Sequence, residues 1–241
     1  MGRLVVVTGG GTGIGKAIAQ RFAACGDSVI ITGRRRDALD QAAAELPGDI
    51  TVSCFDATDL DSVEAFAASL DSIDVLVNNA GGNRDFDAGT SDQSLRTVAD
   101  TWLSNFTANV LSAVVMTTAC LDKFSDGGSV VTIGSIAADQ GSGSYGAAKA
   151  AVASWNVDLS RQLGSCGVTA NVVSPGYIAD TEFFRDKLSG QRRAELIAAT
   201  ATGRAGTPGD IADTVAFLAS PGARHITGQV IAVNGGARTT R

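Results

Sequence analysis

Three side chains in the stretch VVTIGSIAADQGSGSYGAAKAAV, residues 130–152, could move a proton together. Tyr145 and Lys149 are four apart, so on a helix they share one face. A phenol ordinarily titrates near pH ~10. An adjacent ammonium stabilises the phenolate and lowers that value. Such a phenol can exchange protons with an alcohol or a carbonyl near neutral pH. Ser135, at the carboxyl end of an apolar run, could donate a hydrogen bond to the same oxygen, or could be an ordinary turn serine. The other tyrosine, Tyr177, has Thr181 where a lysine would be needed. No G-x-S-x-G elbow marks a hydrolytic serine. The single histidine, His225, sits in the turn-like RHITG and reads as a surface or interface residue.

A second chemical feature stands near the start. VVVTGGGTGIG, residues 5–15, places five glycines directly after an apolar run. If that run is a strand and a helix follows, the loop offers backbone N–H groups and a helix dipole to a pyrophosphate. Glycine permits both the turn and the close approach. No glycine triple has the spacing of G-x-G-x-x-G; the pattern is T-G-x-x-x-G-x-G, from Thr8, Gly9, Gly13 and Gly15. A structural turn is the alternative. The acidic residue that often ends the second strand and holds a ribose hydroxyl is missing: VIITGRRRDAL puts Gly33 and Arg34 there. Asp37 comes later and reads as the cap of the second helix. Arg34 is either a solvated charge or a bidentate grip on a 2′-phosphate, helped by Arg35 and Thr12.

These residues need a scaffold that brings distant strand ends together. Short, near-continuously apolar runs occur at Leu4–Thr8, Ser28–Thr32, Ile50–Cys54, Ile73–Asn78, Ser129–Ile133, Val168–Ser174 and Gln229–Val233. Strands buried on both faces of a parallel sheet read this way. Helix-period segments lie between them, at Ile14–Cys25, Asp37–Leu46, Asp59–Leu70, Ser91–Leu121 and Ser144–Leu163. The alternation predicts an α/β fold: a Rossmann-like doubly wound parallel sheet of about seven strands with helices on both faces. No linker or repeat divides residues 1–241, so one dinucleotide-binding and catalytic domain is expected. Asp180–Pro208 breaks the rhythm and reads as a substrate lid or as an ordinary surface helix and loop.

Composition narrows the classes. A formal charge of −6 disfavours nucleic acid, which needs a basic footprint. Cys25, Cys54, Cys120 and Cys166 lie far apart, without metal spacing. They read as reduced thiols, mostly small buried hydrophobes, and no metal site is expected. No long apolar run suggests a membrane span, and a cytoplasmic protein follows.

With YGAAK and TGGGTGIG go DATD at 56–59, NNAG at 78–81, Trp102 seven residues before Asn109, IGS at 133–135, SPGYIADT at 174–181 and ITGQVIAVNGG at 226–236. Together they resemble the classical short-chain dehydrogenase/reductase family across essentially the whole chain. The resemblance implies a catalytic tetrad of Asn109, Ser135, Tyr145 and Lys149. Tyr145 would be the acid/base, Lys149 would hold the nicotinamide ribose and tune the phenol, Ser135 would orient the substrate oxygen, and Asn109 would anchor a water relay. Asn105, one turn earlier, competes for that last role. Cofactor contacts would come from Gly9, Gly11, Thr12, Gly13, Ile14 and Gly15, and from Arg34 and Arg35. Asp56 and Ala57 would flank the adenine, and Asn79, Ala80 and Gly81 the cofactor's middle. Tyr145, Lys149, Pro175, Gly176, Ile178 and Thr181 would surround the nicotinamide end.

The resemblance thus implies an oxidoreductase that moves a hydride between NADP(H), preferred over NAD(H), and a small ketone or secondary alcohol, in a homotetramer or dimer. One alternative is a reductase of 3-oxoacyl thioesters on an acyl carrier protein. Members with that task carry basic residues where this chain has Ser165-Cys166 and Asp126-Gly127, and an acidic carrier finds little attraction there. A non-catalytic cofactor-binding regulator is the alternative of another class. The loop Ile136–Ser144 is two or three residues shorter than is common in the family.

Overall fold

Val5, Val6 and Val7 set the architecture: β-branched side chains suit a pleated strand, and all three are completely buried. Alternation sends them to opposite faces. Val5 and Val7 join one apolar cluster with Ile18, Phe22 and Ile211, while Val6 joins another with Val63, Met116 and Leu159. Both faces of the sheet are therefore covered by helices.

The computed structural model describes residues 2–86, 94–184 and 188–239. In chain order the elements are β1 (Leu4–Thr8), α1 (Gly13–Ala23), β2 (Ser28–Gly33), α2 (Arg36–Glu45), β3 (Ile50–Cys54), α3 (Leu60–Ala68) and β4 (Ile73–Asn78). Then come α4 (Leu95–Phe106), α5 (Ser112–Ala119), β5 (Phe124–Ile133), α6 (Ala137–Gln140), α7 (Gly143–Gly164) and β6 (Thr169–Pro175). α8 (Gly190–Ala198), α9 (Pro208–Leu218) and β7 (Val230–Val233) complete the order. The seven strands pair in parallel in the order β3-β2-β1-β4-β5-β6-β7. This is the expected Rossmann-like, doubly wound sheet. The chain reverses direction across the sheet between β1 and β4, and ligands of such sheets bind outside the carboxyl ends of the strands there.

Several expectations are corrected. The outer strands β3 and β7 are not buried on both faces, because each lacks a neighbour on one side. β5 begins at Phe124, five residues before the apolar run that marks it in the sequence. Asp37 does not cap α2; the cap position is Arg35, and Asp37 lies in the first turn, where a carboxylate still complements the helix dipole. Cys25, Cys54 and Cys166 are exposed, and only Cys120 is a buried hydrophobe. The segment Ser91–Leu121 is not one regular helix. Residues 91–93 lie outside the described residues, and a π turn at Thr107–Leu111 separates α4 from α5. Among the described residues no helix is long and apolar enough to cross a membrane.

Candidate active site

A continuous cleft of about 1660 Å³ runs along the carboxyl ends of the strands. Of the residues expected to form the tetrad and to contact the cofactor, all line it except Asn109; Asn105, the competitor for its role, lies outside the lining too.

At one end lies the glycine loop. The N–H groups of Gly13, Ile14 and Gly15 precede the first intrahelical bond of α1, from Lys16 N–H to the Thr12 carbonyl at 3.2 Å. No acidic residue occupies that first turn, so donors and dipole face the cleft without a competing carboxylate. The glycines serve two ends. Gly9 and Gly13 have φ of 66° and 52°, which a side chain would strain. At Gly15 a Cβ would stand 2.2 Å from the Gly9 carbonyl oxygen, and at Gly10 one would stand 2.6 Å from Ile31. Much of the glycine content is thus demanded by the protein's own packing. Thr8 and Asn79 lock that packing: Asn79 Nδ2 donates to the carbonyls of Thr8 and Gly9 at 3.0 Å each, and Thr8 Oγ1 accepts from Asn79 N and Ala80 N at 3.0 Å.

Beyond the loop, at the ends of β2 and β3, Arg34 and Asp56 form an ion pair at 3.6 Å. Burial raises the Asp56 carboxyl, but hydrogen bonds from Thr58 and the Arg34 charge outweigh it and hold the group below its ordinary value. Arg35 donates to Thr12 Oγ1 at 3.3 Å and to Glu182 at 2.8 Å. A dinucleotide suits this end: helix N-terminus for pyrophosphate, two arginines for an extra phosphate.

At the other end, β5 carries Ser135 just past its carboxyl terminus and α7 carries Tyr145 and Lys149, both buried. Lys149 Nζ donates to the Ile133 carbonyl at 2.8 Å and lies 5.8 Å from the centre of the Tyr145 ring. Burial pushes the phenol up to about 12, opposed by a hydrogen bond with Ser135. Burial likewise pushes the Lys149 ammonium down to about 8. Desolvation therefore dominates the phenol, against the lowering expected from the lysine. Pro175 ends β6 and Gly176 follows it, Ile178 bridges to Gly206, and Thr181 Oγ1 donates to the Ile178 carbonyl at 3.4 Å.

Asn109 sits behind the cleft wall, in the π turn. There Ser112 N–H bonds the Thr107 carbonyl, five residues back, and Asn109 Nδ2 donates to the Asn105 carbonyl at 2.9 Å. The amide also brackets Gly82, donating to its carbonyl at 2.9 Å and accepting from its N–H at 3.2 Å. Asn105 has a different set of partners. Its Oδ1 accepts from Arg84 N–H at 3.0 Å, and its Nδ2 donates to Asp85 at 2.9 Å and to Ser144 at 2.7 Å.

Sequence reasoning missed Asp85 and the aromatic residues of the cleft. Asp85 accepts from Ser144 Oγ, from Asn105 and from the backbone N–H of Tyr145, the last at 3.1 Å. It therefore caps α7 from another element, while the adjacent Ser142 makes no capping bond. Phe86, Phe183 and Phe184 line the cleft near Tyr145. A carboxylate four residues after NNAG and a paired Phe-Phe opening the irregular stretch are visible in the sequence, yet no periodicity ties either to Tyr145. Of the expected lid, 185–187 fall outside the described residues; the remainder forms a 3-10 turn at Glu182–Phe184, α8 and the start of α9. Asp180, at φ 56°, adopts a left-handed conformation where this stretch begins.

Comparison with known proteins follows the same outline. A family model described as "Enoyl-(Acyl carrier protein) reductase" matches residues 9–238. The chain is 37% identical to the "3-oxoacyl-[acyl-carrier-protein] reductase FabG" of Escherichia coli (strain K12), over 98% of this chain and 97% of that one. Among solved structures, a blue fluorescent protein from a metagenomic library in complex with NADPH superposes with a TM-score of 0.84 at 33% identity, covering 99% of this chain and 98% of that chain. A 7α-hydroxysteroid dehydrogenase complexed with NADH and 7-oxo glycochenodeoxycholic acid superposes with a TM-score of 0.88 at 29% identity, covering 98% and 94%.

Proposed function

Because the chain belongs to the short-chain dehydrogenase/reductase family, we propose that it is an NADP(H)-dependent oxidoreductase interconverting a ketone and a secondary alcohol. The observation that carries this reading is the convergence of Ser135, Tyr145 and Lys149 at one end of a cleft whose other end presents a helix N-terminus and two arginines. When bound, the dinucleotide supplies or accepts the hydride. In reduction Tyr145 gives its proton to the substrate's carbonyl oxygen, and in oxidation it takes that proton back. Ser135 donates a hydrogen bond to the same oxygen and holds it beside the phenol. Lys149, protonated below about 8 and 5.8 Å from the Tyr145 ring, is a cation that opposes the desolvation of the phenol without outweighing it. Asn109 holds the turn at Gly82 and the π turn behind the site.

The preference for NADP(H) rests on Gly33, Arg34 and Arg35, since one structural neighbour was solved with NADPH and another with NADH. The family resemblance to FabG favours a second reading, a 3-oxoacyl thioester as substrate. Asp126 stands where a cation would attract an acidic carrier, although Arg224 reaches the neighbouring Gly128 carbonyl at 3.3 Å. The described parts of 180–208 contribute Thr181, Phe183, Phe184, Leu188 and Leu196 to the cleft, which supports reading this stretch as the substrate lid of a single domain. Three exposed thiols suit a reducing cytoplasm. Val98, Trp102, Leu103 and Leu111 on α4 and the π turn, with Phe217 on α9 and Val230 on β7, leave large apolar side chains exposed, which self-association would cover. Light scattering that shows a monomer at micromolar concentration overturns that last point.

The decisive experiment on the reaction is Tyr145→Phe. Turnover of a ketone with NADPH should fall by about 10²-fold or more, the usual range of general acid–base contributions, while NADPH affinity measured by fluorescence stays near wild type. Comparable turnover in the variant removes the assignment.

A further inference from the structure

Building on the reductase reading, we propose that the substrate carbonyl carries an aromatic group, received by a wall of rings beside Tyr145. Phe, Tyr and Trp make up only 5% of the chain. Yet Phe86, Tyr145, Tyr177, Phe183 and Phe184 meet at one end of the cleft, from four separate stretches of sequence. The Phe183 ring lies 5.6 Å from Tyr145, 5.8 Å from Phe86 and 5.0 Å from Phe184, and Tyr177 lies 5.7 Å from Phe184. These separations and the tilted or edge-on angles are those of favourable ring pairs.

Burial separates this group from the core. Phe22 and Phe66 are 1% and 7% exposed and shut inside the two apolar clusters. Phe86, Tyr177, Phe183 and Phe184 are half-buried and line the cleft. A carbonyl oxygen held by Tyr145 and Ser135 leaves its substituent against Phe183, the ring closest to the phenol among these pairs. A flat ring can add one more tilted or edge-on pair; an alkyl chain of equal area gains only the apolar contact.

The test compares phenylacetone, cyclohexylacetone and an acetoacetyl thioester in NADPH-dependent reduction by the wild type, Phe183→Ala and Phe184→Ala. The phenyl ketone should exceed its cyclohexyl counterpart in kcat/KM by about tenfold, as expected from one or two favourable ring pairs. Each alanine variant should shrink that ratio. Calorimetry of the phenyl alcohol on the NADPH-loaded protein should show the same loss of affinity in both variants, apart from turnover. Equal rates for the phenyl and cyclohexyl ketones, or a ratio unmoved by either variant, overturn the proposal. Turnover of the thioester alone overturns it and leaves the reductase reading standing. No turnover of any of the three with either cofactor removes both.

Discussion

The two ends of the cleft are built by different means. The end proposed for the dinucleotide is made mostly of backbone: strand termini, an open helix N-terminus, and glycines such as Gly15 whose absent side chain lets Gly9 and Asn79 close in, with the Arg34 and Arg35 side chains at its rim. The substrate end is made of side chains, presented by short 3-10 turns at Arg84–Phe86 and Glu182–Phe184. A backbone-built site tolerates few residue types at each position and recurs at fixed spacing. A side-chain-built site asks only that several distant positions be apolar or acidic, and it can vary without disturbing the sheet. One scaffold can thus keep its cofactor and change its substrate.

The sharpest way to break this division is to rewrite the dinucleotide end by side chains alone. A Cβ at Gly33 would meet Leu39 at 3.7 Å, ordinary contact, so an acidic residue fits there. The Arg34–Asp56 pair is exposed at 62% and 40%, and such pairs are worth little, so a phosphate can displace Asp56. A charge-assisted hydrogen bond contributes about 1.5–3 kcal/mol, roughly 10- to 150-fold in affinity. Wild type should bind NADPH over NADH by about that factor, and Gly33→Asp with Arg34→Ala should reverse the order in fluorescence titrations. A wild-type preference for NADH shows that Arg34 points away from the ribose.

The same division explains what was legible. The parallel sheet, the glycine loop and the Tyr145–Lys149 face carry a period or a fixed spacing, whereas Asp56, Asn79 and Pro175 are named through the family resemblance. The early start of β5 at Phe124 was hidden because Asp126, Gly127 and Gly128 do not look like strand. The π turn shows in the sequence only as a single shift of the apolar phase by about 100°, within a segment otherwise apolar at helical spacing. Cys25, Cys54 and Cys166 misled because a cysteine's usual burial says nothing about its own helix or strand face. Asp85 and the Phe183–Phe184 pair were hidden for the reason given above: their meaning is set by chain segments that meet only in three dimensions.

Lys149 stands where the two ends join, and its burial has a cost that pH can expose. Burial lowers the ammonium from 10.5 to about 8. Between those values the unfolded chain holds a proton that the folded chain has released, so stability rises with pH across that window. Below about 8 the charge is buried and the folded state is weakened. Replacing it by Lys149→Met removes the desolvation but also the bond to Ile133. Net stabilisation near pH 7 should be on the order of 2 kcal/mol and should vanish by about pH 10. Thermal melts across that range check it; parallel curves for the two proteins contradict it. Above 10 the raised phenol of Tyr145 acts in the opposite sense, because the folded chain then keeps a proton that the unfolded chain has lost.

Asp85 sharpens the comparison from the substrate side, since it is a side chain that performs a backbone task. Its carboxylate takes the N–H of Tyr145, the hydroxyl of Ser144 and the amide of Asn105. Gly143, at φ 58°, permits this: a Cβ there would stand 2.9 Å from Asp85 Oδ2. The first turn of α7 is thereby fixed to α4 and to the turn after β4, and the phenol is fixed with it. Asp85 is a positioning residue, and its loss should move the phenol without touching the glycine loop. Hydrogen bonds to a charged group are worth about 1.5–3 kcal/mol, and part of that can be recovered from water. Asp85→Asn should therefore lower kcat by roughly tenfold, with NADPH affinity unchanged. Ser144→Ala, which removes one of the three partners, should lower it less. A fall in NADPH affinity matching the fall in kcat would mean that Asp85 supports the fold as a whole, and an unchanged kcat would mean that Ser142 can take over the cap.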